Sequence, residues 1–108
     1  MQQVLAHQLA KWLKDAERPQ PLLLDVREAW EVEIAPFPSA RHIPMHLIPL
    51  QIQDLGDPDQ PVVAICHHGG RSMQVALFLE RQGFSNVFNL AGGINAWSRD
   101  VDPSVACY

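Results

Sequence analysis

At 108 residues the chain has the size of one domain with one core, taken here as 1–108. Hydrophobic residues make up 47% and charged residues 19%, values that exclude the disordered and fibrous classes. Eight basic against twelve acidic residues give a net charge of −4 without a Lys/Arg cluster, which speaks against nucleic acid and acidic membrane surfaces as partners.

The opening segment, MQQVLAHQLAKW, has neither the basic start nor the long apolar stretch of a signal peptide, and no apolar run approaches the roughly 20 residues of a membrane span. The expectation is a cytoplasmic protein whose two cysteines, Cys66 and Cys107, are free thiols. Leu5, Leu9, Trp12, Leu13 and Ala16 recur at helical spacing and predict an amphipathic helix over 7–16, closed by Pro19 and Pro21. PLLLDV at 21–26 and PVVAIC at 61–66 are short continuous apolar runs after a proline, the pattern of strands covered on both faces. Weaker strand candidates are ARHI at 40–43 and NVFNL at 86–90. Short helices are predicted at 28–33, 48–55 and 93–99. A longer one, over 72–82, has Val75, Ala76, Phe78 and Leu79 on its apolar face and Gly83 as its stop. The alternation of strand and helix predicts an α/β fold with a central, mostly parallel sheet of about five strands and helices on both faces. Ligands in such folds bind beyond the carboxyl ends of the strands, where Asp25 and Cys66 both fall.

Cys66 ends one of these strands and is followed by His67, His68, Gly69, Gly70 and Arg71 before the helix that begins near Ser72. The thiolate is the reactive form of cysteine, and it is favoured at a helix N-terminus or beside cations. Gly69 and Gly70 allow the backbone to curl so that successive amides face one anion, and Arg71 adds a cationic fork of donors. Two other uses of these residues exist. Cys66 could be an inert core thiol, or Cys66 could join His42, His46, His67 and His68 around a metal. Pro44 between His42 and His46 argues against the helical ligand spacing that a zinc site would use.

Four segments in this order resemble the rhodanese family of single-domain sulfurtransferases: Asp25-Val26-Arg27-Glu28, Ala40-Arg41-His42-Ile43-Pro44, the loop Cys66 to Arg71, and Gly92-Gly93-Ile94-Asn95-Ala96-Trp97. The resemblance spans about 22–98. This chain has His67 where many relatives carry arginine, and Ser39 where glycine is usual. The resemblance implies that Cys66 is the catalytic nucleophile and that His67, His68, Gly69, Gly70, Arg71 and Ser72 bind the substrate. It also implies that Asp25 and Arg27 support the loop from below. Only four residues separate Cys66 from Arg71, one fewer than in the tyrosine phosphatases and phosphatase relatives of the fold, and the tighter cradle suits a single sulfur better than a phosphate.

The implied activity is transfer of a sulfane sulfur, through a Cys66 persulfide, from a small anionic donor such as thiosulfate to a thiol acceptor, a protein thiol included, or to cyanide. No cofactor and no metal are expected. The alternatives are a persulfide relay serving a partner protein and, on the same fold, a phosphatase or arsenate reductase. Gly92 and Gly93 are expected to form a tight strand-to-helix turn and Trp97 to enter the core. Trp30 is a candidate for the pocket rim, His68 for proton transfer, and Cys107 for a tail thiol without a role.

Overall fold

The computed structural model describes residues 1–37 and 39–108. In chain order it comprises β1 (Gln2–Val4), α1 (Ala6–Lys14), β2 (Leu22–Asp25), α2 (Ala29–Ile34), β3 (Arg41–His42), α3 (Ile48–Gln51) between 3-10 turns at Met45–Leu47 and Ile52–Leu55, β4 (Val62–Ile65), α4 (Gly70–Arg81), β5 (Val87–Leu90) and α5 (Gly93–Asp100). The five strands form one parallel sheet in the order β1-β5-β4-β2-β3. This is the predicted α/β architecture, and every observed strand pair is parallel.

The two apolar runs form the sheet's centre because both of their faces are covered. Successive side chains of a strand point to opposite faces. Leu23, Val63, Ile65, Phe88 and Leu90 therefore pack with Leu9 and Trp12 of α1 and with Ile94 and Trp97 of α5. Leu24, Val62, Ala64 and Val87 pack on the other face with Ile48 of α3 and Val75, Ala76 and Leu79 of α4. Among the described residues no helix is long and apolar enough to cross a membrane.

Most elements lie within two residues of their predicted bounds, α1 ending at Lys14 where 16 was expected, and two differences bear on the site. β1 was not predicted: it has three residues, only Val4 of them buried, and its polar Gln2 and Gln3 carry no strand pattern. Helix α4 begins two residues earlier than 72, at Gly70, because Gly69 takes the left-handed conformation (φ 107°) and acts as the N-cap. Gly70 and Arg71 thereby move from the loop into the first helical turn. The register Asp25↔Ile65 sets the ends of β2 and β4 level, so Asp25 and Cys66 share the carboxyl edge of the sheet.

Candidate active site

Cys66 leaves β4 directly into the N-terminus of α4 and is 1% exposed. Its Sγ accepts a hydrogen bond from the Gly69 amide at 3.1 Å and lies 3.2 Å from the Ser72 hydroxyl. The left-handed turn at Gly69 aims that amide back at the sulfur, and the free amides and dipole of the helix start favour negative charge there. Ser72, buried on the first turn, also contacts the Gly69 carbonyl at 3.2 Å and the Asn89 side-chain oxygen. Asn89 of β5 is itself fixed: its Nδ2 donates to the Gly69 carbonyl at 3.1 Å and to Gln3 Oε1 at 2.9 Å, which leaves Oδ1 facing Ser72. A hydroxyl has one hydrogen to give. The Ser72 hydroxyl has three acceptors within reach: Cys66 Sγ, the Gly69 carbonyl and Asn89 Oδ1.

The loop is held from its outer side by α5. The Ile94 amide donates to the Cys66 carbonyl at 2.8 Å and the Asn95 amide to the His67 carbonyl at 3.0 Å. This contact explains Gly93 more fully than the expected tight turn does. At φ 57°, a Cβ on Gly93 would overlap both of those carbonyl oxygens. Gly70, by contrast, has open space where a Cβ would stand.

Beside the loop lies a cluster of charged and aromatic side chains. Arg27, fully buried, donates from Nε and Nη2 to Asp25 at 2.9 and 2.7 Å and from Nη2 to the Ala35 carbonyl at 2.7 Å. Arg71 is turned away from a free-fork arrangement: its Nη1 and Nη2 donate to Glu31 Oε1 and Oε2 at 2.6 and 2.7 Å. The Tyr108 hydroxyl donates to Glu31 Oε2 at 2.7 Å and accepts from Arg27 Nη1 at 3.1 Å. The Tyr108 ring stacks on His67 with centroids 3.8 Å apart, and His67 stacks on His68 at 3.9 Å.

These contacts set the charges. The Arg71 pair, with Tyr108 and the Glu28 amide adding to it, outweighs burial and holds the Glu31 carboxyl down at about 2, while Glu31 raises Arg71. Burial against the pair pushes the Tyr108 phenol up to about 12. Burial, then the neighbouring His68, lowers His67 below its ordinary value. For Arg27, burial opposes the charge but the bonds to Asp25 and Tyr108 outweigh it, and its pKa is raised.

The structure thus brings Cys66, His67, Gly69, Arg71, Ser72, Asp25 and Arg27 to one edge of the sheet, with His68 and Gly70 exposed on the same loop. Trp30 is 58% exposed and meets Tyr108 edge-on at 6.1 Å. Cys107 is exposed, and its thiol donates to Asn95 Oδ1 at 3.1 Å. His42 Nε2 pairs with the Arg27 carbonyl at 2.6 Å, and among the described residues no three His, Cys, Asp or Glu side chains are grouped to share a metal. Glu31, Asn89 and Tyr108 were not singled out from the sequence. Glu31 carried one local signal, its position three residues after Glu28 at a helix start, where its Oε1 accepts from the Glu28 amide at 3.1 Å. Asn89 and Tyr108 lie far along the chain from their partners, and nothing local marks them.

Comparison with known proteins gives one consistent result. The Rhodanese-like domain model matches residues 5–100. A sulfurtransferase of Allochromatium vinosum is 41% identical over 98 residues, covering 91% of this chain and 89% of that protein. Thiosulfate sulfurtransferase GlpE of Haemophilus influenzae is 34% identical over 87 residues, 81% of this chain and 82% of that one. The chain also matches the chloroplastic rhodanese-like/PpiC domain-containing protein 12 of Arabidopsis thaliana at 43% identity over 89 residues, but spans only 30% of that protein's length. The solved structure of a rhodanese-related protein from Thermoplasma volcanium superposes with a TM-score of 0.83 at 27% identity, covering 100% of both chains.

Proposed function

The chain belongs to the rhodanese-like domain family, and we propose that it is a sulfurtransferase whose Cys66 carries the transferred sulfur as a persulfide. The observation that supports this most directly is the position of Sγ at the start of α4, within hydrogen-bond reach of the Gly69 amide and the Ser72 hydroxyl. A thiolate and a persulfide anion both benefit from fixed, uncharged donors aimed at the place where their charge sits. The donor is a small sulfane-sulfur compound, and the acceptor is cyanide or a thiol.

In the first half-reaction the Cys66 thiolate attacks the outer sulfur of the donor. A new S–S bond forms to Cys66, the donor's own S–S bond breaks, and its electron pair leaves with sulfite from thiosulfate or with a thiolate from an alkyl persulfide. In the second, an acceptor nucleophile attacks the outer sulfur of the persulfide, leaving as thiocyanate or as a new persulfide, and the Cys66 thiolate returns. His67, His68, Gly69 and Gly70 line the path of the donor, Ser72 follows the charge on sulfur, and Asp25 and Arg27 hold the adjoining strand end. Since Cys66 is 1% exposed, entry of the donor requires neighbouring side chains to move aside.

Mass spectrometry of the Cys66 peptide is the test. One added sulfur is expected after incubation with a sulfane donor, removed by cyanide, and no added phosphate after incubation with an aryl phosphate. Cys66→Ser should abolish turnover with the fold intact. Wild-type turnover in that variant would overturn the assignment, and uptake only from a persulfidated protein would make the chain a relay.

A further inference from the structure

The site contains a second acidic group that the loop chemistry does not use. Glu31 is 2% exposed, and its carboxylate takes both arms of the Arg71 fork, while its remaining contacts are the Tyr108 hydroxyl and the Glu28 amide. Arg27 is likewise matched by Asp25. The fixed charges beside Cys66 therefore cancel in pairs, and among the described residues the donors that face the sulfur are the uncharged Gly69 amide and Ser72 hydroxyl. A dianionic donor such as thiosulfate meets an Arg71 whose charge is already matched by Glu31 and whose Nη1 and Nη2 each give a hydrogen to it, so full use of the guanidinium fork means drawing it away from a buried carboxylate. A donor that carries a single charge on its sulfur, with a neutral organic group behind it, makes no such demand.

Building on the sulfur-transfer function above, we propose that Glu31 is a specificity-determining residue which, by occupying Arg71, biases the site against doubly charged oxyanion donors and towards alkyl persulfides. With an alkyl persulfide the Cys66 thiolate takes the outer sulfur and the organic thiolate leaves with the electron pair of the broken S–S bond, so no oxyanion has to be held. Glu31 touches no reacting atom in this scheme and acts through Arg71.

The experiment compares kcat/KM for thiosulfate and for 2-hydroxyethyl persulfide, with cyanide as acceptor, in wild type, Glu31→Gln and Glu31→Asp. The wild type is expected to favour the alkyl persulfide. Glu31→Gln should raise kcat/KM for thiosulfate about tenfold, the scale of one charge-assisted hydrogen bond, and change the alkyl persulfide value by less than about threefold. Glu31→Asp keeps the charge and should keep the wild-type ratio. If both values fall together in Glu31→Gln, or neither moves, Glu31 is a brace and the proposal fails. Sulfate, an inert dianion, supplies a reading on the unaltered protein: at constant ionic strength it should inhibit only weakly, and inhibition below about 1 mM would show that Arg71 is free to bind dianions, overturning the proposal even if the Gln variant does not fold. Absence of sulfur on the Cys66 peptide from both donors is a separate readout, and it would overturn the sulfur-transfer function itself.

Discussion

Cys66 and Arg71 are five positions apart, yet their surroundings are made of different material. Around Cys66 the partners are the Gly69 amide, the amides of Ile94 and Asn95 one loop away, and two small polar side chains, Ser72 and Asn89. Around Arg71 they are the long side chains of Glu31, Tyr108 and, through them, Arg27. Backbone donors are fixed by the fold and survive most substitutions, so the amides around the sulfur can be altered only by displacing chain. Side-chain pairs can be altered one residue at a time. The floor of the site is therefore the rigid part and its charged lip the adjustable part.

The largest effect should come from breaking the floor. Gly93→Ala places a Cβ against the Cys66 and His67 carbonyls at a φ of 57°, so the loop or α5 has to shift. We expect a loss of about 3 kcal/mol of stability and a fall in turnover of at least about a hundredfold. Gly70→Ala, at a residue with open space around it, should leave stability within error. Urea denaturation and turnover of the two variants side by side separate a specific contact from a general intolerance of the loop.

The lip is tested by acid. The Glu31 carboxyl sits at about 2 in the folded chain against an ordinary 4.5, so the unfolded chain binds its proton more readily. Its contribution is present above about pH 4.5 and is lost as pH falls towards 2. The full shift corresponds to about 3 kcal/mol. Urea midpoints at pH 7, 4 and 3 should fall in the wild type and fall less steeply in Glu31→Gln. Parallel curves would mean that the pair contributes nothing to the fold.

The smallest effect is expected at the edge of both regions. Cys107 is exposed and its thiol donates to Asn95, outside the Cys66 loop, and Cys107→Ser should change turnover by less than about twofold. A large loss, accompanied by a mass shift matching a Cys66–Cys107 disulfide in the wild type, would bring this thiol into the reaction.

The contrast between floor and lip also explains what the sequence made legible. The sheet, its central strands and the cysteine loop follow from local signals: apolar runs after proline, helical spacing, and glycines flanked by a cysteine and an arginine. The helix start moved to Gly70 because a left-handed Gly69 caps it, a conformation that composition permits without requiring. Asn89 could not be found because strand β5 offers it as one more polar residue, and only the parallel register places it under Gly69. Arg71 was visible as a cation in a loop. That it is already occupied depends on Glu31, forty residues earlier in the chain, and on a tyrosine near the other end.

One feature of the sheet bears on how the protein is made. Strand β1 pairs with β5 in the register Gln2↔Phe88 to Val4↔Leu90, so β1 is the strand of this sheet that precedes its neighbour by the longest stretch of chain. Closing a loop of nearly the whole chain is entropically costly and slows folding, whereas β2 and β4 join across a shorter span. During synthesis the first residues must wait, unpaired, until β5 has emerged. Asn89, which carries the Gly69 carbonyl, receives its Gln3 partner only at that moment. The support that Gln3 gives to Asn89 beneath the cysteine loop is thus in place only once β1 has paired with β5.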